Sequence, residues 1–269
     1  MKNLIKNFQR DGYIILNILG KNGALSLLNE INRYYISIGK KNKIPIKNLK
    51  NYHKLNISEK KNKFLMHPNT RQIKIQRNLV EKILKNESIR TICENLYGNK
   101  KINIFQEYQN RLRTKHMGIR IVKPNSPVSG VHAESNSSPG WDPVTLWCPL
   151  VGLDKKYTLR ISPKSHKKKH PLNQIVKDKK YLAKAYSKKY LKKFKFHRPN
   201  MKVGQAIVFH PNLLHGGSSC KGTSCRVSVE IRIMREEHFV KKKNYYILPN
   251  KSKRKIRLSN KYLNKKYYN

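Results

Sequence analysis

From Lys101 onward the chain is written in short runs of β-branched and aromatic residues, and this texture constrains its fold more than any other feature. INIF (Ile102 to Phe105), IRIV (Ile119 to Val122), VTLWCPLV (Val144 to Val151), YTLRI (Tyr157 to Ile161), QAIVF (Gln205 to Phe209) and VSVEIRIM (Val227 to Met234) are each of strand length. Turn residues separate most of them. A strand buries its apolar face only against a partner layer, so a series of short strands after N-terminal helical segments predicts an all-β sandwich or barrel buttressed by helices.

The helices are read from spacing and punctuation. FQRDGYIIL (Phe8 to Leu16) predicts a short helix, a turn at Asp11-Gly12, then a strand. Ala24, Leu27, Leu28, Ile31 and Tyr35 recur at helical spacing, and Ile89, Ile92, Cys93 and Leu96 form a second apolar stripe with Ser88 as its N-cap and Gly98 as its stop. Lys40 to Lys63 is polar, rich in Lys and Asn and weakly patterned, which predicts a long surface loop. Residues 169–195 are very basic and partly helical in pattern, and they interrupt the strands as an insertion would. From Lys241 the chain carries no acidic residue and little core pattern, so the expected organisation is one domain over residues 1–238 and a flexible or peripheral basic tail over 239–269.

Charge and cysteines narrow the function classes. Sixty Lys and Arg stand against 14 Asp and Glu, a formal charge of +46 that invites a nucleic-acid or anionic-membrane partner. The same excess follows from a coding bias toward Lys, Asn, Ile and Tyr, in which case the lysines are a solvated surface. The four cysteines include no CxxC, which argues against a zinc module or a disulfide scaffold and toward an intracellular, cytoplasmic protein. YIILNIL (Tyr13 to Leu19) is too short and interrupted for a signal peptide or membrane span, so a soluble protein without a transmembrane segment is expected.

Two pairings carry chemistry: His132 with Glu134 in VHAES, and His215 with Arg226 in LHGGSSCKGTSCR. On a strand, residues two apart share a face, so His132 and Glu134 can offer a nitrogen and a carboxylate to one metal, with His215 as a third donor. Two histidines and one carboxylate on one face leave open positions for a chelating co-substrate and dioxygen, the arrangement of non-haem iron(II) oxygenases. The planar guanidinium of Arg226 suits the far carboxylate of a dicarboxylate, and Ser228, on the same strand face, offers a hydroxyl donor. HxE is short enough to arise by chance among ten histidines, and the alternative reading of His132 and His215 is histidines satisfied by their neighbours.

Around these pairings the chain resembles the phytanoyl-CoA dioxygenase-like family of iron(II)/2-oxoglutarate oxygenases. FQRDGYIIL is similar to the family's opening helix-turn-strand. HAES followed by VTLWCPLVGLDKKYTLRISPKSH resembles its metal-binding strand, Trp-x-Pro-Leu strand and Pro-x-Ser-His turn. GQAIVFHPNLLHGGS followed by CRVSVEIRIM resembles the strands of its second histidine and its arginine. The order is kept over about residues 5–235.

The resemblance implies a mainly β fold with flanking helices, built on a double-stranded β-helix (a jelly-roll, cupin-like core). It implies iron(II) on His132, Glu134 and His215, and 2-oxoglutarate anchored by Arg226 with Ser228, Trp147 lining the pocket, Thr114 as a further hydroxyl and ascorbate in a supporting role. Where Glu134 stands the family more often has Asp, and a retained carboxylate argues against a halogenase. Hydroxylation of a small metabolite or of a sugar- or lipid-type biosynthetic intermediate is the implied activity, with an anionic substrate suggested by the basic insertion. Two other readings stay open. Arg226 and Arg232 form an Arg-x5-Arg pair that, with the charge, suits an AlkB-like nucleic-acid demethylase, and a non-enzymatic polyanion-binding protein on a degenerate oxygenase fold would also explain the lysines.

Overall fold

The computed structural model describes residues 2–55, 71–108, 111–125, 130–136, 142–176, 185–216, 220–238, 240–242 and 245–247. Its first helix, α1 (Lys2–Asp11), buries Phe8 and ends where Gly12 takes a φ of +79°. A Cβ at Gly12 would collide with the His166 ring, so the turn needs glycine for its left-handed φ and for space. β1 (Tyr13–Asn17) follows, then α2 (Gly20–Lys41), which buries Ala24, Leu27, Ile31 and Tyr35 as their spacing predicts.

The segment after α2 is not the expected surface loop. Ile44, Ile46, Leu49 and Tyr52 are buried, Leu49 completely. Isolated apolar residues in a Lys- and Asn-rich run have no period to betray them, yet each fills the core once the chain folds back over Gly39, where a Cβ would sit 2.7 Å from the Ile44 carbonyl. Residues 56–70, which hold the rest of the predicted loop, lie outside the described residues. β2 (Arg71–Lys74) leads into α3 (Arg77–Lys85), a helix the sequence reading did not anticipate, and α4 (Glu87–Tyr97). The cap of α4 is Asn86 rather than Ser88: its side chain accepts from the Ile89 amide at 3.1 Å.

The strands then run β3 (Ile102–Tyr108), β4 (Arg111–Thr114), β5 (His116–Val122), β6 (Val144–Val151) and β7 (Arg160–Ile161). Of the predicted YTLRI only the last two residues pair, because the Tyr157 and Thr158 amides both turn back to the Asp154 carbonyl. The basic insertion supplies a small hairpin, β8 (Ile175–Val176) with β9 (Ala185–Tyr186), and the short helix α5 (Lys188–Leu191). β10 (Gln205–Phe209), β11 (His215–Gly216) and β12 (Arg226–Arg235) complete the predicted strands.

Part of the expected tail also belongs to the sheet. β13 (Val240–Lys242) pairs with β14 (Tyr245–Ile247), which pairs with β4 at Tyr246 and Leu112. Backbone pairing there continues the sheet past residue 238, the boundary expected from the sequence. Residues 248–269 lie outside the described residues.

The large sheet is antiparallel and runs β1-β10-β6-β12-β3-β4-β14-β13. β12 is central: one edge pairs with β6, while the other pairs first with β5 and then, from Arg232, with β3. Its Val227, Val229, Ile231 and Ile233 meet the helices in one core with Ile31, Leu49, Ile83 and Ile92. The opposite face looks into the barrel, where Trp147, Ile207 and Phe209 meet Leu159, Ile161 and Leu213 near the small β7–β11 sheet. This is the mainly β, helix-flanked jelly roll that the strand pattern and the resemblance lead one to expect. No helix among the described residues is long and apolar enough to cross a membrane.

Candidate metal centre

His132 and His215 come together through the backbone. Each donates its amide to the other's carbonyl, at 2.9 and 3.0 Å, in an isolated antiparallel bridge that brings the imidazole centroids to 4.5 Å. Glu134 follows in a short 3-10 turn (Glu134–Asn136), so a bridge and a tight turn, rather than an extended strand, aim the carboxylate. Its Oε1 lies 3.9 Å from His132 Nε2 and 3.6 Å from His215 Nε2, and one donor atom from each residue falls within 4.8 Å of the others. Among the described residues this is the one group of three or more such side chains placed to share a metal.

The second nitrogen of each ring is spoken for. His132 Nδ1 lies 2.8 Å from the Gly130 carbonyl and His215 Nδ1 2.9 Å from that of Leu213. A carbonyl only accepts, so each Nδ1 carries the proton and each Nε2 turns its lone pair toward the centre. Burial, with help from His215, pushes the His132 imidazole down to about 4 and keeps it neutral near pH 7. Burial also pushes the Glu134 carboxyl up, but Arg232 and the two histidines outweigh it and hold the acid well below the usual carboxylate range. Two imidazoles and one carboxylate are a donor set that fits a divalent transition-metal ion. The His132 side chain is 23% exposed against 2% for Glu134 and 4% for His215, so the centre opens past His132.

Deeper along β12, Arg226 is buried and has no acidic partner within ion-pair distance among the described residues. Its Nη1 donates to the Tyr157 carbonyl at 3.0 Å, and the guanidinium lies 5.6 Å from the Trp147 ring. Arg226 Nε, Ser228 Oγ and Trp147 Nε1 have no hydrogen-bond partner there, although all are buried. Burial, then Arg120, lowers the guanidinium to about 10, so it remains charged at neutral pH. A buried cation amid unsatisfied donors is costly unless an anion joins it, and a carboxylate fits.

The structure brings His132, Glu134 and His215 to one point, and Arg226, Ser228 and Trp147 to another. Thr114 is elsewhere: the register sets it opposite Phe105, itself opposite Arg232, level with the far end of β12 from Arg226. Phe209 and Glu230 were missed, and Arg232 was read only as the second member of an Arg-x5-Arg pair. The Phe209 ring lies 4.4 Å from that of His215, tilted by 46°, and Arg232 grips Glu134 while bonding Glu230, which in turn pairs with Arg120 at 3.3 Å. The signal was present in β12, where Arg226, Ser228, Glu230 and Arg232 alternate with apolar residues, but such a pattern ordinarily reads as a solvated face.

A phytanoyl-CoA dioxygenase family model matches residues 8–228. Among solved structures, the chain is similar to the epimerase SnoN in complex with Fe3+, alpha ketoglutarate and nogalamycin RO (14% identity, TM-score 0.56, 87% of this chain and 83% of that one). It is also similar to EctD from S. alaskensis with 2-oxoglutarate and 5-hydroxyectoine (13% identity, TM-score 0.57, 90% and 78% covered). The alpha ketoglutarate dependent carbocyclase SnoK shows the same likeness (12% identity, TM-score 0.53, 87% and 84% covered). At such identities the likeness is one of fold. No curated protein sequence matches the chain.

Proposed function

The chain belongs to the phytanoyl-CoA dioxygenase family, and from that premise we propose that it is an iron(II)- and 2-oxoglutarate-dependent oxygenase that hydroxylates a small molecule. The observation that carries the reading is the pairing of two separate needs along one barrel: three convergent donors with fixed tautomers, and a buried guanidinium that calls for an anion. His132 Nε2, Glu134 Oε1 and His215 Nε2 would hold the iron. Arg226 and Ser228 would hold the distal carboxylate of 2-oxoglutarate, with Trp147 as a wall behind the guanidinium.

When bound, iron(II) and 2-oxoglutarate activate dioxygen, and the co-substrate is oxidised to succinate and carbon dioxide as the substrate is oxidised. The protein's own part is positional. The carbonyls of Gly130 and Leu213 hold both imidazole protons away from the centre, and Phe209 packs against the His215 ring. Glu134 and His215 face the barrel interior, which excludes water, while the partly exposed His132 side leaves the approach for substrate. The neighbours include an epimerase and a carbocyclase, so one fold supports several outcomes; the retained carboxylate speaks against halogenation, and hydroxylation is the outcome proposed for this chain.

His215→Ala removes a donor and should abolish iron(II)-dependent succinate formation from 2-oxoglutarate. An undiminished rate in that variant would sink the assignment. A demethylase acting on nucleic acid finds less support, because the family model that matches residues 8–228 is that of phytanoyl-CoA dioxygenase.

A further inference from the structure

Glu134 carries its carboxylate on two methylenes, an arm free enough to wrap both of its oxygens around a metal. Such a chelate would take a second position at the ion, one of those that the co-substrate needs. The arrangement around Arg232 bears directly on this. Its Nε donates to Glu134 Oε2 at 3.2 Å and its Nη2 to Glu134 Oε1 at 3.0 Å, a two-point fork across the opening between the two oxygens. A metal chelated by both oxygens would have to occupy that same opening. Oε1 is also the oxygen that faces the two Nε2 atoms.

We propose that Arg232 is a positioning residue that makes Glu134 a one-oxygen metal ligand, keeping three positions at the metal open for 2-oxoglutarate and dioxygen. The inference rests on the oxygenase reading above. Arg232 is itself held in place from behind: Nη1 donates to Gln106 Oε1 at 3.1 Å, Nη2 also bonds Glu230, and Glu230 is paired with Arg120. Four of the five guanidinium N–H donors are thereby accounted for, so the fork has little freedom to swing off the carboxylate. The charges of Glu134, Glu230, Arg120 and Arg232 cancel. A divalent ion bound to this neutral group and the Arg226 guanidinium together carry three positive charges, of which a dicarboxylate such as 2-oxoglutarate offsets two.

The test uses Co(II) as the metal probe and Arg232→Lys, which keeps the charge and gives up the fork. Three quantities are read: Co(II) affinity, the visible absorption of the Co(II) protein before any co-substrate is added, and 2-oxoglutarate affinity for the Co(II) protein by calorimetry. The variant should bind Co(II) within about threefold of wild type, show an altered Co(II) spectrum, and bind 2-oxoglutarate about tenfold more weakly. Unchanged 2-oxoglutarate affinity overturns the inference and leaves the oxygenase reading standing. A wild-type spectrum with weakened 2-oxoglutarate binding also overturns it, since Arg232 would then act on the co-substrate directly. So does a folded variant that has lost Co(II) altogether. Failure of the wild-type protein to bind Co(II) overturns both readings. If thermal melting shows that Arg232→Lys does not fold, Gln106→Leu decides: it leaves every charge in place, loosens the fork, and should weaken 2-oxoglutarate binding by about threefold, and no weakening overturns the proposal.

Discussion

Arg226 and Arg232 project from the same face of one strand, yet their surroundings impose opposite demands. Arg232 lies between two carboxylates, whereas Arg226 has a backbone carbonyl, an aromatic face and no acidic group in ion-pair reach among the described residues. Structural cations are normally neutralised when buried; one that is not is usually held for a ligand. Replacing Arg226 by Met should therefore separate function from stability. Two charge-assisted hydrogen bonds to a carboxylate are worth about 1.5–3 kcal/mol each, so Arg226→Met should weaken 2-oxoglutarate binding to the metal-loaded protein by at least about tenfold. Metal affinity should not move, and the melting temperature of the metal-free protein should hold or rise as a buried charge is removed. A marked loss of stability with unchanged 2-oxoglutarate affinity would make Arg226 a structural residue instead.

At the scale of elements, what could be read from the sequence follows from periodicity. Six of the ten large-sheet strands, β1, β3, β5, β6, β10 and β12, were visible because β-branched runs bounded by turns have few other uses, while β2, β4, β13 and β14 lack such runs and were not; α2 was visible because Ala24, Leu27, Ile31 and Tyr35 fall on one stripe. Ile44, Ile46, Leu49 and Tyr52 were not visible, since no regular element carries Ile44 through Leu49 and burial there is set by tertiary fit. The reading of Leu49 has a direct check: a truly exposed loop residue tolerates truncation, whereas Leu49→Ala in this core should cost about 2–5 kcal/mol. Chemical denaturation measures it, and a change below about 0.5 kcal/mol would return the segment to the surface. The site divides in the same way. HxE and the paired His and Arg could be recognised as short motifs, but the hold of Arg232 on Glu134 joins residues 98 apart in the chain and emerges only from the register of β12.

Charge belongs to the whole molecule, and its distribution is uneven. Between residues 155 and 229 the chain has 20 Lys and Arg and a single acidic residue, Asp178. In the structure Lys168 lies 5.3 Å over the Phe194 ring and Lys193 5.9 Å over that of Tyr190, with Lys188 and Lys189 exposed beside them. Tyr186 and Tyr190 pack on Val131, Ala133 and Leu214, the immediate chain neighbours of His132 and His215. The described part of the basic segment thus packs on the chain neighbours of the two histidines, a placement from which its charge could steer an anion whatever the origin of the lysines. Coding bias alone would leave that field without consequence for turnover; steering of an anionic substrate would not. With a phosphorylated or carboxylated substrate, reversing Lys188 and Lys189 to Glu should raise the Michaelis constant several-fold at low salt. The difference should shrink as ionic strength approaches about 0.5 M, where the screening length falls to a few ångströms, and kcat should stay constant throughout. Equal Michaelis constants at low salt would mean that the lysines at this face are solvated surface.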